Sequence, residues 1–150
     1  MSDIVKNIRT GLESVITDVL GSEWNPLQYK YDLEKNPTNT SKRWGVVVGD
    51  GVASATGRIG DVTIDRTFTV TLGDEHVNQA DDSNAQTVQD SLETLLDDIF
   101  IQAALKKLGV PNLVYSVTIS SISEPLLVVD GTLFMQATYI IKYRSEAFRC

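Results

Sequence analysis

Asp74, Glu75, His76, Asp81 and Asp82 are side chains of the kinds that ligate metals or move protons, and they lie close together in the sequence. If they converged, the imidazole and carboxylates could hold a divalent cation or relay a proton. Their pattern does not supply that convergence. His76 is the only histidine, and the spacing matches neither an EF-hand loop nor a zincin helix. The stretch from Gly73 to Asp82 reads as a solvated acidic loop. Gly49, Gly51 and Gly57 invite comparison with a phosphate-binding loop, but no Gly-Lys-Ser/Thr ending follows and Arg58 comes after Gly57. The expectation there is a mobile loop from Gly49 to Gly60. There is no Gly-x-Ser-x-Gly elbow, and the single cysteine is Cys150. No catalytic, cofactor-binding or metal-ligating residue is assigned, and the chain reads as a non-enzyme without a cofactor. The alternative left open is a small enzyme or ligand-binding domain that uses the acidic loop around His76.

Two helices and several strands must position these loops. The stretch from Ser83 to Pro111 predicts a long helix of about 25 residues, roughly 37 Å at 1.5 Å per residue. Ser83 and Gln86 have the spacing of a capping box, while Lys106, Lys107, Gly109 and Pro111 supply a dipole-compatible last turn, a left-handed cap and a stop. Val88, Leu92, Leu95, Leu96, Ile99 and Ala103 form one apolar face suited to covering a sheet. Ile101, Leu105 and Leu108 recur on nearly the opposite side, where either another helix of the chain or a neighbouring subunit would cover them. A second amphipathic helix is expected over residues 3 to 20, ended by Gly21. Gly11 within it costs about 1 kcal/mol relative to alanine and hints at a close backbone approach.

Period-two alternation marks strands at Leu27 to Leu33, Trp44 to Val48 and Asp61 to Leu72. In the third, only Arg66 interrupts the apolar face, as an edge position, an intersubunit ion pair or a snorkelling side chain would allow. Leu113, Tyr115, Val117 and Ile119 alternate again, as do Leu133, Met135, Ala137, Tyr139, Ile141 and Tyr143. These last two strands should pair antiparallel. Phe134 and Ile140 sit on the polar side of the final strand, where a partner chain or the far end of the fold would meet them. The fold expected is α+β: a single mixed or antiparallel sheet of about five strands with two helices on one face, in the order α-β-β-β-α-β-β.

The chain has 150 residues, a formal net charge of -7 and 42% hydrophobic residues, which suits one domain with a core that needs no disulfide or metal. The acidic balance opposes bulk attraction to phosphate backbones and anionic membranes. No stretch has the length and apolarity of a membrane span or a signal peptide, and the lone cysteine suits a reducing compartment.

The element order, with the ending Thr132-Leu133-Phe134-Met135-Gln136-Ala137-Thr138-Tyr139-Ile140-Ile141-Lys142-Tyr143-Arg144, resembles the tail terminator (tail completion) proteins of tailed bacteriophages. The resemblance implies a structural virion protein of the tail and neck, assembled in the host cytoplasm. It would form a homo-hexameric ring on the tail tube protein, stop tail polymerisation and present a surface to the head-tail connector or neck protein. DNA would pass through the lumen without specific binding. Another neck or tail-tube component is the nearest alternative. On this reading Arg66, Ile101, Leu105, Leu108, Phe134 and Ile140 are subunit-interface candidates. The glycine loop with Gly49, Gly51 and Gly57, and the acidic loop with Asp74, Glu75, His76, Asp81 and Asp82, are partner-contact candidates.

Overall fold

The computed structural model describes residues 3–27, 42–55, 62–74, 82–106, 108, 114–123, 126–127 and 133–144. Its elements are helix α1 (Asp3–Leu20), strands β1 (Asn25–Pro26), β2 (Arg43–Ala55) and β3 (Val62–Asp74), helix α2 (Asp82–Lys106), and strands β4 (Val114–Ile122), β5 (Leu126–Leu127) and β6 (Leu133–Arg144). The fold is α+β, with a single mixed sheet in the order β1-β2-β3-β6-β4 and β5 paired beside β6. Among the described residues, only the β1–β2 pairing is parallel. The last strand of the chain is therefore an interior strand of the sheet, antiparallel to both β3 and β4.

Alternation in the strands and helical spacing in α1 and α2 deliver one shared core. Trp44 and Val46 of β2, Phe68, Val70 and Leu72 of β3, and Met135, Ala137, Tyr139, Ile141 and Tyr143 of β6 are buried on the helix-covered face. Register places them side by side: Val46 opposite Val70, Phe68 opposite Tyr139, Leu72 opposite Met135. From α1 come Ile4, Ile8, Leu12 and Ile16, and from α2 come Leu92, Leu96, Ile99 and Ala103, all buried in the same cluster. The Tyr139 hydroxyl donates to the Leu96 carbonyl at 2.6 Å, and its ring lies 5.8 Å from that of Phe100. Burial, aided by Asp97, raises the Tyr139 pKa above its usual value, so this anchor of β6 to α2 stays protonated.

α1 closely approaches the chain just beyond the end of α2 at Gly11. A Cβ there would overlap the Leu108 carbonyl, so the glycine is what allows the backbones to meet. Asp18 and Val19 line the same groove as Asp98 and Ile101, which makes the helices antiparallel. α1 ends as expected: Gly21 has φ 84° and its N–H donates to the Thr17 carbonyl at 3.0 Å. At the end of α2 it is Leu108 that takes a left-handed conformation, φ 57°, while Gly109 lies outside the described residues. That backbone costs about 1–2 kcal/mol for a side-chain-bearing residue. Burying the leucine, which is only 1% exposed, returns a comparable amount, about 1.5–3 kcal/mol.

Several local expectations are corrected. α2 begins at Asp82, and the Gln86 carboxamide donates to Asp90 Oδ1 at 2.9 Å, one turn ahead, instead of reaching back to close a capping box. Sheet pairing starts at Asn25 and Pro26, two residues earlier than the alternation indicated; Leu27 is buried and its N–H donates to Trp44 O at 2.7 Å, while 28–33 lie outside the described residues. In β4, two residues, Val114 and Tyr115, span the step from Tyr143 to Lys142. This bulge turns Val114 into the core and leaves Tyr115 48% exposed. No helix among the described residues is long and apolar enough to cross a membrane.

Candidate functional site

β2 does not stop at Val48. It continues to Ala55, and β3 accompanies it from Val62, so Gly49 and Gly51 belong to a strand and not to a loop. Val48 is paired with Phe68 and Gly51 with Arg66, so Gly49 and Asp50 together face Thr67 as a bulge. A Cβ at Gly49 would overlap the Thr67 hydroxyl, which is why a glycine fits this bulge. Beyond it lies an arm of the hairpin in which residues 51–54 of β2 are exposed, while 62–66 of β3 are half-buried, with 63–66 still paired to β6 and Ile64 packed against the core. Gly57 lies outside the described residues.

The arm has two unlike faces. The helix-side face carries Gly51, Ala53, Val62, Ile64 and Arg66; the opposite face carries Val52, which is 66% exposed, with Ser54, Thr63 and Asp65. Arg66 lies over Gly51: a Cβ there would come within 3.0 Å of the guanidinium Nε. That Nε is enclosed and has no hydrogen-bond partner among the described residues. Asp65 does not serve it, since Asp65 points to the other face and pairs with Lys142 at 3.9 Å. β3 is an interior strand, between β2 and β6, so an edge position does not account for Arg66.

The acidic loop is not a described unit. Gly73 and Asp74 are buried in β3, paired with Phe134 and Leu133, so the loop does not begin at Gly73. Asp82 is the first residue of α2, while Glu75, His76 and Asp81 lie outside the described residues. Among the described residues no three His, Cys, Asp or Glu side chains are grouped as metal ligands.

The interface candidates divide. Leu108 is buried against α1, so the intrachain reading holds for it and the subunit reading is withdrawn. Its φ of 57° beyond the end of α2 rotates it away from Ile101 and Leu105, which periodicity had placed beside it. Phe134, 3% exposed, packs over Gly73 and is likewise covered within the chain. Ile101 and Leu105 remain at the surface, Leu105 at 73% exposure. Ile140 is half-buried on the sheet face away from the helices, opposite Thr67 and Thr118. That face is rich in hydroxyls, with Thr69 opposite Thr138 and the Gln136 amide donating to Thr71 Oγ1 at 3.1 Å.

Sequence reasoning missed the arm because Gly-Asp-Gly reads as loop, and Val52-Ala53-Ser54-Ala55 after it carries no clear apolar alternation. It also missed an open groove of about 380 Å³ between the C-terminal end of α1 and α2, lined by Asp18, Val19, Asp98, Ile101 and Gln102. The chain matches no protein-family model and no curated protein.

Proposed function

We propose that this protein is a structural assembly subunit of the tail terminator kind: a ring on the end of a phage tail tube that halts its polymerisation and offers the surface to which the head-joining neck attaches. The observation that carries the reading is the β2–β3 arm. Its strands stay paired beyond the bulge, yet residues 51–54 are exposed and Val52 and its neighbours find no cover among the described residues. A strand segment paired along one side and exposed on the other is a contact element, because its outward side chains and edge remain open to a partner. The exposed pair Ile101 and Leu105 on α2 adds a second uncovered surface elsewhere on the subunit, as a ring of identical subunits in heterologous contact requires. The formal net charge of -7 suits a channel for DNA, since like charge prevents counterion-release binding to its walls.

Sedimentation velocity and negative-stain imaging of the purified protein test this. A six-membered ring with an open centre, and shortened tubes when it is added to polymerising tail tube protein, are the expected results. A protein that stays monomeric at every concentration and leaves tube length unchanged would overturn the reading.

A further inference from the structure

Among the described residues the sheet is open at both ends. β1 accompanies β2 only at Arg43 and Trp44, so residues 51–55 of β2 have β3 on one side and no described strand on the other. At the far end of the sheet β4 is paired with β6 alone. Exposed large apolar side chains mark both edges: Val52 on β2, at 66% exposure, and Tyr115 on β4, at 48%. Neither edge carries the charges or prolines that commonly keep exposed strands apart, since Gly51-Val52-Ala53-Ser54-Ala55 and the whole of β4 lack both. Bulges are another such device, but the two in β4 lie at either end of residues 116–119 and leave that run regular.

Strand direction shows how the edges fit together. β2, β3, β6 and β4 are each antiparallel to the next, so β2 and β4 run in opposite senses. A second copy set edgewise against the first, with its strands in the same sense, therefore brings β4 beside β2 as an antiparallel pair. The lengths agree, at about 17 Å for residues 51–55 and about 14 Å for residues 116–119. The faces agree as well. α2 packs on β4, and an open groove of about 400 Å³ remains between that helix and Ile122 of β4, lined also by Asp90, Glu93, Thr94 and Asp97. Gly51 and Ala53 lie on the helix side of β2, and side chains this small suit a place beside a helix already packed there. On the other face Val52 and Ser54 would come alongside Ser116 and Thr118.

We infer that residues 51–55 of β2 in one copy pair antiparallel with residues 116–119 of β4 in the next, making one continuous sheet across the boundary. The inference rests on the assembly reading above and names the contact through which it operates. Edge N–H and C=O groups that face water in a lone subunit gain partners by this strand addition. Pairing of like edges about a two-fold would close one edge and leave the other free. The heterologous contact instead uses both edges of every copy once, and it propagates from copy to copy until rotation closes a ring.

Cross-linking in the full chain tests the pairing, with sedimentation of wild type across a wide concentration range and circular dichroism to verify that each variant stays folded. In a Cys150→Ser background, Val52→Cys is combined with Ser116→Cys or with Thr118→Cys, which share its face of the sheet. Oxidation should give a ladder of disulfide-linked chains from one of these two combinations, and no single cysteine should give links. Linked chains of that pattern support the contact; their absence from both combinations in an assembling protein overturns it and leaves the assembly reading standing. Links formed as readily by Ser116→Cys or Thr118→Cys alone would mean that β4 pairs with its own kind, and would overturn the heterologous contact. If wild type does not self-associate at all, the assembly reading itself fails and this contact with it. If the cysteine variants do not fold, hydrogen exchange on wild type below and above its assembly concentration decides alone: slowing on the order of tenfold or more at amides of both 51–55 and 116–119 supports the contact, and unchanged exchange at either run overturns it.

Discussion

The β2–β3 hairpin has a covered half and an uncovered half built from the same alternation. From Trp44 to Val48, paired with Phe68 to Leu72, its inward side chains meet α1 and α2 and are largely or wholly buried; beyond the bulge the ladder continues, but residues 51–54 are exposed and only the β3 side, with Ile64 packed against the core, stays half-buried. Alternation specifies a strand and which side chains share a face, whereas burial depends on how far the layer above extends. A bulge at Gly49 and Asp50 marks the border, and bulges bend a strand and increase its twist. The end of α2 shows the same contrast over a shorter distance, since Leu105 is exposed and Leu108 is buried.

The sharpest break in that comparison is a charge placed on either side of it. Leu108→Asp would bury an unpaired carboxylate against Gly11 and is expected to abolish folding, as burial of an uncompensated charge costs several kcal/mol. Leu105→Asp should leave the thermal midpoint of the subunit close to wild type and act only on self-association. Circular dichroism melts at low concentration read the first effect and light scattering the second.

A neutral truncation measures the same difference. Leu96→Ala, within the core, is expected to cost about 2–5 kcal/mol, while Val52→Ala on the arm should stay within about 0.5 kcal/mol. Urea unfolding of both variants gives the two values, and a Val52 effect as large as that of Leu96 would mean the arm belongs to the core.

Gly11→Ala probes the contact that brings the helices together. Alanine favours a helix by about 1 kcal/mol over glycine, yet its Cβ would overlap the Leu108 carbonyl, and such overpacking costs about 1–3 kcal/mol. A net loss of stability is expected. A more stable Gly11→Ala protein would show that α1 can move away from Leu108 without penalty.

The smallest effect is expected at Tyr139. Tyr139→Phe removes the hydrogen bond to the Leu96 carbonyl and should cost about 1 kcal/mol near neutral pH. The raised Tyr139 pKa also has a signed consequence. In the window above the ordinary tyrosine value of about 10, the unfolded chain releases this proton and the folded chain keeps it, so stability falls as pH rises. Wild type should therefore lose stability more steeply than Tyr139→Phe in alkaline urea titrations, and parallel slopes would contradict the burial of this hydroxyl.

Much of the architecture was legible in the residues. The apolar stripes of α1 and α2, the alternation in β3 and β6, the cap at Gly21 and the close approach at Gly11 are all local patterns, and local patterns are set by backbone period and side-chain size. The candidate site was less so. Ile101 and Leu105 stood out as a second stripe, but Leu108 was grouped with them because periodicity assumes a helix that continues, and Phe134 was placed on an open face because alternation does not reveal a glycine beneath it. Gly49 and Gly51 read as loop because glycine disfavours strands in general, although a bulge and a guanidinium lying on the backbone both call for it.

By itself, then, the sequence determined which segments are helix or strand and which of their faces are apolar, since those follow from neighbours within a few residues. Only the tertiary structure decided that the last strand lies between β3 and β4, that Arg66 is interior to the sheet with an Nε that has no partner among the described residues, and that β2 runs on past its bulge with residues 51–54 exposed. Each of these depends on pairings between residues far apart in the chain, whose selection reflects the burial of the whole core and not the preference of any one segment.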